Sequence, residues 1–145
     1  MATRSEDIEH ELAELPTIVA RLRRRLQDEA RNDDLTPSQF AALRRLIGDG
    51  PTTLTELASA EGMRPQSMGA IVAALQSAGY VVGEPDPTDG RRTILTITDA
   101  SRELIRANRA AKKDWLFRSL DENFTDAERA QLAASVELLR RLTNL

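Results

Sequence analysis

Three arginines, a glutamine, a serine and an aspartate carry most of the polar chemistry this chain can direct at a partner. Arg64 stands directly before Pro65-Gln66-Ser67, and Arg91 and Arg92 follow Asp89 by two and three residues. A guanidinium presents five donors in a rigid fork, which fits phosphate oxygens or the two acceptors on a guanine edge. Gln66 suits adenine or a phosphate, and Ser67 suits either. Gly69 and Ala70 are small enough for a close backbone approach, with an alanine methyl able to meet a thymine methyl. Thr53 opens a T-x-x-E pattern with Glu56, so its side chain either caps a helix or helps the helix amides hold a phosphate. Catalysis has far less to work with. There is one histidine and no cysteine, no P-loop, no G-x-S-x-G and no metal-spaced cluster. Neither an enzyme nor a cofactor is expected.

Those residues need a scaffold, and the stretch Thr52–Tyr80 supplies one. Leu54, Leu57 and Ala58 recur at helical spacing, Glu61-Gly62-Met63 breaks the pattern, and Met68, Ile71, Val72 and Leu75 share one face of a second helix. Pro65 sits in that helix's first turn. Two helices crossing at a glycine turn make a helix-turn-helix. After Ala78-Gly79 the period changes to strand. Tyr80-Val81-Val82 and Thr93–Thr98 flank the turn-rich Pro85–Arg91, so a hairpin follows the second helix as a wing.

The flanks read as helices. Ile8, Leu12, Leu15, Val19, Leu22 and Leu26 alternate spacings of four and three, which predicts one long helix over 6–32, kinked or delayed at Pro16. Asn32-Asp33-Asp34 reads as a loop. Thr36, Pro37 and Gln39 give N-cap, first turn and capping box for a helix burying Phe40, Leu43, Leu46 and Ile47. Beyond the wing, a helix runs to about Ser119, and Thr125 with Glu128 opens a last one carrying Leu132, Val136, Leu139 and Leu142. These terminal helices are too long and too apolar for a lone small domain. A homodimer joined through Leu12, Leu15, Leu132, Val136, Leu139 and Leu142 accounts for them.

Composition narrows the setting. Hydrophobic residues make 41% of the 145 and aromatics 3%, as suits helices packed through aliphatic side chains. The absence of cysteine excludes disulfides, thiol catalysis and thiol-based peroxide sensing. No apolar run approaches the roughly 20 residues of a membrane span, and the polar N-terminus has no signal-peptide core, so a cytoplasmic location is expected. The net charge of −3 lends no bulk attraction to nucleic acid. Local arginine geometry must do that work.

The order helix, helix, helix-turn-helix, wing, long helix, helix resembles the MarR family of bacterial transcription regulators over nearly the whole chain. Asp86–Thr98, DPTDGRRTILTIT, is similar to the family's wing motif, with Asp89 and Arg91 in its Asp-x-Arg pair. Leu35–Phe40, Leu54–Ala58 and Ala78–Val81 are similar to the family's second and third helix openings and to its step into the wing. The resemblance implies a mainly α fold with a small β-hairpin wing: a winged helix-turn-helix over 35–98 and a helical dimerisation region from 1–34 and 99–145. It implies a homodimeric regulator, a repressor in the expected case, on pseudo-palindromic double-stranded DNA, contacted by Thr53, Arg64, Pro65, Gln66, Ser67, Gly69, Ala70, Asp89, Arg91 and Arg92. It also implies release by a small aromatic or phenolic ligand, with Leu22, Leu43, Trp115 and His10 as candidate lining. The alanine-rich second helix departs from the pattern, because Gly69, Ala70, Ala73 and Ala74 replace larger polar side chains. A winged-helix interaction module without DNA binding is the competing reading.

Overall fold

Two glycines with positive φ shape the centre of the chain. In the computed structural model, which describes residues 2–30 and 34–145 and side chains from Ser5 onward, helix α4 (Leu54–Ala60) ends at Gly62, φ 64°, and α5 (Pro65–Ser77) ends at Gly79, φ 81°. Each is a Schellman close. Met63 N–H donates to the Ala58 carbonyl at 2.8 Å, and Tyr80 N–H to the Leu75 carbonyl at 2.9 Å. A side chain at either glycine would strain the left-handed backbone, so the turn and the exit to the wing both depend on them.

Around this pair the chain forms a compact unit, Asn32–Arg109. Helix α3 (Pro37–Asp49) precedes it, and strands β2 (Val81–Pro85) and β3 (Thr93–Ile97) follow as an antiparallel hairpin with Val81 opposite Ile97 and Pro85 opposite Thr93. A two-residue strand β1 (Thr52–Thr53) pairs with β3 on its other side, giving the order β1-β3-β2. The first strand of the hairpin thus runs beyond the expected Val82. Pro85 is tolerated because it ends an edge strand. The core gathers Leu43, Leu46, Leu57, Met68, Val72, Leu75, Val81, Leu95 and Ile105. At about 1.5–3 kcal/mol for each large side chain buried, this cluster fixes α5 against α3 and α4.

The second unit is Met1–Arg31 with Ala110–Leu145. The single helix expected over 6–32 is two, α1 (Ala2–Ala13) and α2 (Leu15–Glu29), separated at Glu14. Pro16 falls in the first turn of α2, where its missing N–H costs nothing, so the break lies just ahead of it. Residues 31–33 lie outside the described residues, and with them the end of that expected helix and most of the Asn32–Asp34 loop. Helix α6 (Asp99–Asn123) continues past Ser119, and α7 (Asp126–Leu142) follows. All three expected capping boxes form, at Thr36 with Gln39, Thr53 with Glu56 and Thr125 with Glu128. Neither α2 nor α7 has a buried side chain. Leu12, Leu132, Val136, Leu139 and Leu142 are all exposed, and Leu15 is half-buried. Among the described residues no helix is long and apolar enough to cross a membrane.

Candidate nucleic-acid interface

Helix α5 divides by face. Met68, Val72 and Leu75 are buried, so Gln66, Ser67, Ala70, Ala73 and Ala74 are left on the exposed side. Arg64 is the N-cap residue in an extended conformation and makes no capping bond, which leaves its guanidinium free toward solvent beside the unpaired amides of the first turn. Pro65 lies next to it, also exposed. No acidic residue lies within Pro65–Ser77. This face is small, polar at one end and without negative charge.

Gly69 and Thr53 lie outside that exposed face. Gly69 is half-buried on the flank, where an added Cβ would lie 3.9 Å from Leu54 Cδ1 of α4. Thr53 is 9% exposed, and its hydroxyl accepts from Glu56 N–H at 3.3 Å while its backbone pairs into β1. Its side chain is a buried helix cap.

The wing tip is ordered by two aspartates. Asp86 Oδ1 accepts from the Thr88 N–H at 2.9 Å and from its hydroxyl at 2.8 Å, closing an Asx turn. Those bonds, with Arg92 nearby, hold the Asp86 carboxyl below the usual carboxylate range. Asp89 Oδ1 accepts from Arg91 N–H at 3.1 Å. The Asp-x-Arg pair is therefore a carboxylate on a main-chain amide, with no ion pair to the guanidinium. Arg91 has no side-chain partner among the described residues. Arg92 does: Nη2 lies 3.2 Å from Glu56 Oε1 and Nε 3.9 Å from Asp86 Oδ2. Glu56 is held below its usual range chiefly by the Thr52 hydroxyl at 2.6 Å, then by the Thr53 N–H. Asp86, Thr88 and the reach of Glu56 to Arg92 escaped sequence reasoning, although D-x-T before a D-G tip is an Asx-turn signal.

Two further joints keep these parts in register. Arg45 of α3 pairs with Glu61 at 2.5 Å and Asp49 at 3.1 Å, tying α3 to the helix-turn-helix turn, and both partners keep Arg45 protonated beyond its ordinary range. Fully buried Ser101 donates to the Tyr80 carbonyl, and Thr98 donates to the Gly79 carbonyl at 2.7 Å, so the start of α6 is bonded to the end of α5. Gly83 sets the wing stem, since a Cβ there would lie 2.9 Å from Thr93 Cγ2 and 3.2 Å from Gln76 Nε2. The Gln76 amide can swing away, but the β-branched Thr93 must change rotamer. Gly83→Ala should cost about 1–2 kcal/mol by overpacking, read as a lower midpoint in thermal unfolding. An unchanged midpoint would show that the stem tolerates the methyl.

Of the residues suggested for a small ligand, Leu43 belongs to one unit and Leu22, His10 and Trp115 to the other. Leu43 is fully buried in the core of its unit. Leu22 and His10 are exposed, and Trp115 is half-buried with the Arg25 guanidinium 5.4 Å from its ring centroid.

Comparison with known proteins places this arrangement. The model of the MarR family matches residues 33–92, which span α3, the helix-turn-helix, and the first strand and tip of the wing. The HTH-type transcriptional regulator MT0903.1 of Mycobacterium tuberculosis is 32% identical over 132 residues, 91% of this chain and 92% of its own. A Pseudomonas aeruginosa PA01 structure assigned as a transcriptional regulator aligns with TM-score 0.81 and 33% identity, covering 94% of this chain and 96% of its own. A mutant of Staphylococcus aureus MepR, solved bound to an oligodeoxyribonucleotide, shares the fold at TM-score 0.71 and 19% identity, over 91% and 97%. With its helix-turn-helix, its wing and this similarity along most of its length, the chain belongs to the MarR family of transcriptional regulators, which are DNA-binding proteins and not enzymes.

Proposed function

We propose that the protein binds pseudo-palindromic double-stranded DNA as a homodimer, each copy placing α5 in a major groove and its wing along the adjacent minor groove. One observation carries this reading. The same unit exposes a first turn with Arg64, Gln66 and Ser67 and an ordered tip whose Arg91 guanidinium has no partner among the described residues. The first residues of a recognition helix reach base edges in a groove about 12 Å wide. Negative potential in a narrow A·T minor groove draws in arginine. With alanines along the rest of α5, base readout is sparse, and much of the specificity would come from groove shape and half-site spacing, about 34–36 Å for one helical turn. The uncharged alanine face and the absence of acid on α5 favour this over a protein-interaction module, for which an acidic recognition face would be the better fit.

Selection of bound sequences from a random duplex pool tests the reading and gives the operator. Arg91→Ala together with Arg92→Ala should lower affinity for the selected duplex about tenfold or more and flatten the dependence of log K on log salt by about 0.9 or more. Unchanged affinity and slope would remove the wing from the interface.

A further inference from the structure

Glu56 reads in sequence only as the third residue of α4, closing a capping box. In the structure its carboxylate is a junction between two elements. Oε2 accepts from the Thr52 hydroxyl at 2.6 Å and the Thr53 N–H at 3.3 Å, while Oε1 accepts from Arg92 Nη2 at 3.2 Å across 36 residues of chain. The first two bonds lie within β1 and the start of α4, so the acceptor is fixed whether or not the arginine is there. Arg92 is fixed as well. Its carbonyl takes the Asp86 N–H at 2.8 Å, its own N–H donates to the Asp89 carbonyl at 3.0 Å, and Asp86 Oδ2 flanks its Nε. Arg91, one residue away, is held only by its main-chain N–H. Two neighbouring arginines of the same chemistry are therefore in opposite states, one neutralised against α4 and one free.

We propose that Glu56 is the positioning residue of the wing: it retains Arg92 against the start of α4, so that Arg91 alone enters the minor groove. This rests on the DNA-binding reading above. The charge arithmetic supports it. A bare carboxylate beside the first helix of a helix-turn-helix would repel the phosphate backbone. Arg92 cancels it locally, and a guanidinium already neutralised displaces few counterions from DNA. Arg92 thus protects affinity without adding to the salt dependence, whereas Arg91 contributes to both. The Glu56–Arg92 contact also ties the wing tip to the start of α4.

The test is a mutant cycle read by fluorescence anisotropy on a mixed-sequence duplex several helical turns long, over a range of salt. Glu56→Gln keeps an oxygen for both capping bonds and removes the charge, and Arg92→Ala truncates an exposed tip residue, so each variant should unfold near the wild-type temperature. Arg91→Ala should flatten the slope by about 0.9, one phosphate equivalent. Arg92→Ala should flatten it by less than half of that in the wild-type background and by about 0.9 in the Glu56→Gln background, where the freed arginine can reach phosphate. Glu56→Gln should also recover the affinity lost by Arg92→Ala. Equal flattening by both arginines in the wild-type background overturns the role of Glu56 and leaves wing binding standing. No flattening by Arg91→Ala overturns both. A Glu56→Gln effect on melting temperature alone, with the slopes unmoved, reduces Glu56 to a helix cap and overturns the proposal.

Discussion

Glutamate at both Val136 and Leu139 should leave the protein monomeric and lower its affinity for a two-half-site duplex by about 10²–10⁴. Val136 is 45% exposed and Leu139 37% in the single chain, on a helix with no buried side chain. Leu132, Leu142, Leu12, Ile18, Val19 and Leu22 add exposed apolar surface in the same unit. Covering such side chains is worth about 1.5–3 kcal/mol each, and a two-fold axis presents every one of them twice. The same symmetry doubles the penalty, since each interface would have to bury four carboxylates, at several kcal/mol for each unpaired ion. The loss in DNA affinity follows from effective concentration: a tethered second half-site encounters its partner at about millimolar levels, and a monomer forfeits that. Sedimentation equilibrium of wild type and variant checks the first step, and titration against duplexes with one and two half-sites checks the second. A wild-type protein that sediments as a monomer at micromolar concentration would remove the dimer and the half-site geometry together. Because neither residue belongs to the core of Asn32–Arg109, the variant should keep its helix-turn-helix and bind one half-site as weakly as wild type does.

The largest stability effect is expected at Met68. Its side chain is fully buried between the helices of the helix-turn-helix and is the first core residue of α5, one position after exposed Ser67. Met68→Ala removes that packing and leaves a cavity at the end of α5 where the DNA-facing residues sit. The cost should be about 2–5 kcal/mol, which for a unit of this size lowers the melting temperature on the order of 10 °C or more. Met68→Leu conserves volume and should cost less than about 1.5 kcal/mol. Thermal unfolding of both variants by circular dichroism makes the comparison. Equal, small shifts would mean that α5 is held by its Schellman close and by Val72 and Leu75 without help from this side chain.

What the sequence made legible was local. Capping boxes join residues three apart, and all three were visible because both partners lie within one helical turn. The buried and exposed faces of α5 followed from the 3.6-residue period, and the hairpin from a change of period bounded by turn residues. Contacts between distant positions were hidden. Glu56 and Arg92 meet across 36 residues, so no spacing rule connects them. Thr53 was legible as a helix cap, but its place in β1, paired with β3, was not. A two-residue strand is too short to show alternation. Leu43 was rightly placed on an apolar face, but periodicity cannot tell a face that meets the core from one that lines a cavity. The helix break at Glu14 was displaced by two residues from the expected Pro16, because proline is as comfortable starting a helix as it is disruptive within one.

The two hydrogen bonds from Thr98 and Ser101 to the Gly79 and Tyr80 carbonyls make the start of α6 a clamp on the exit from α5. They join its first turn to the end of α5, so α5 cannot rotate against the rest of its unit unless those bonds break or the start of α6 turns with it.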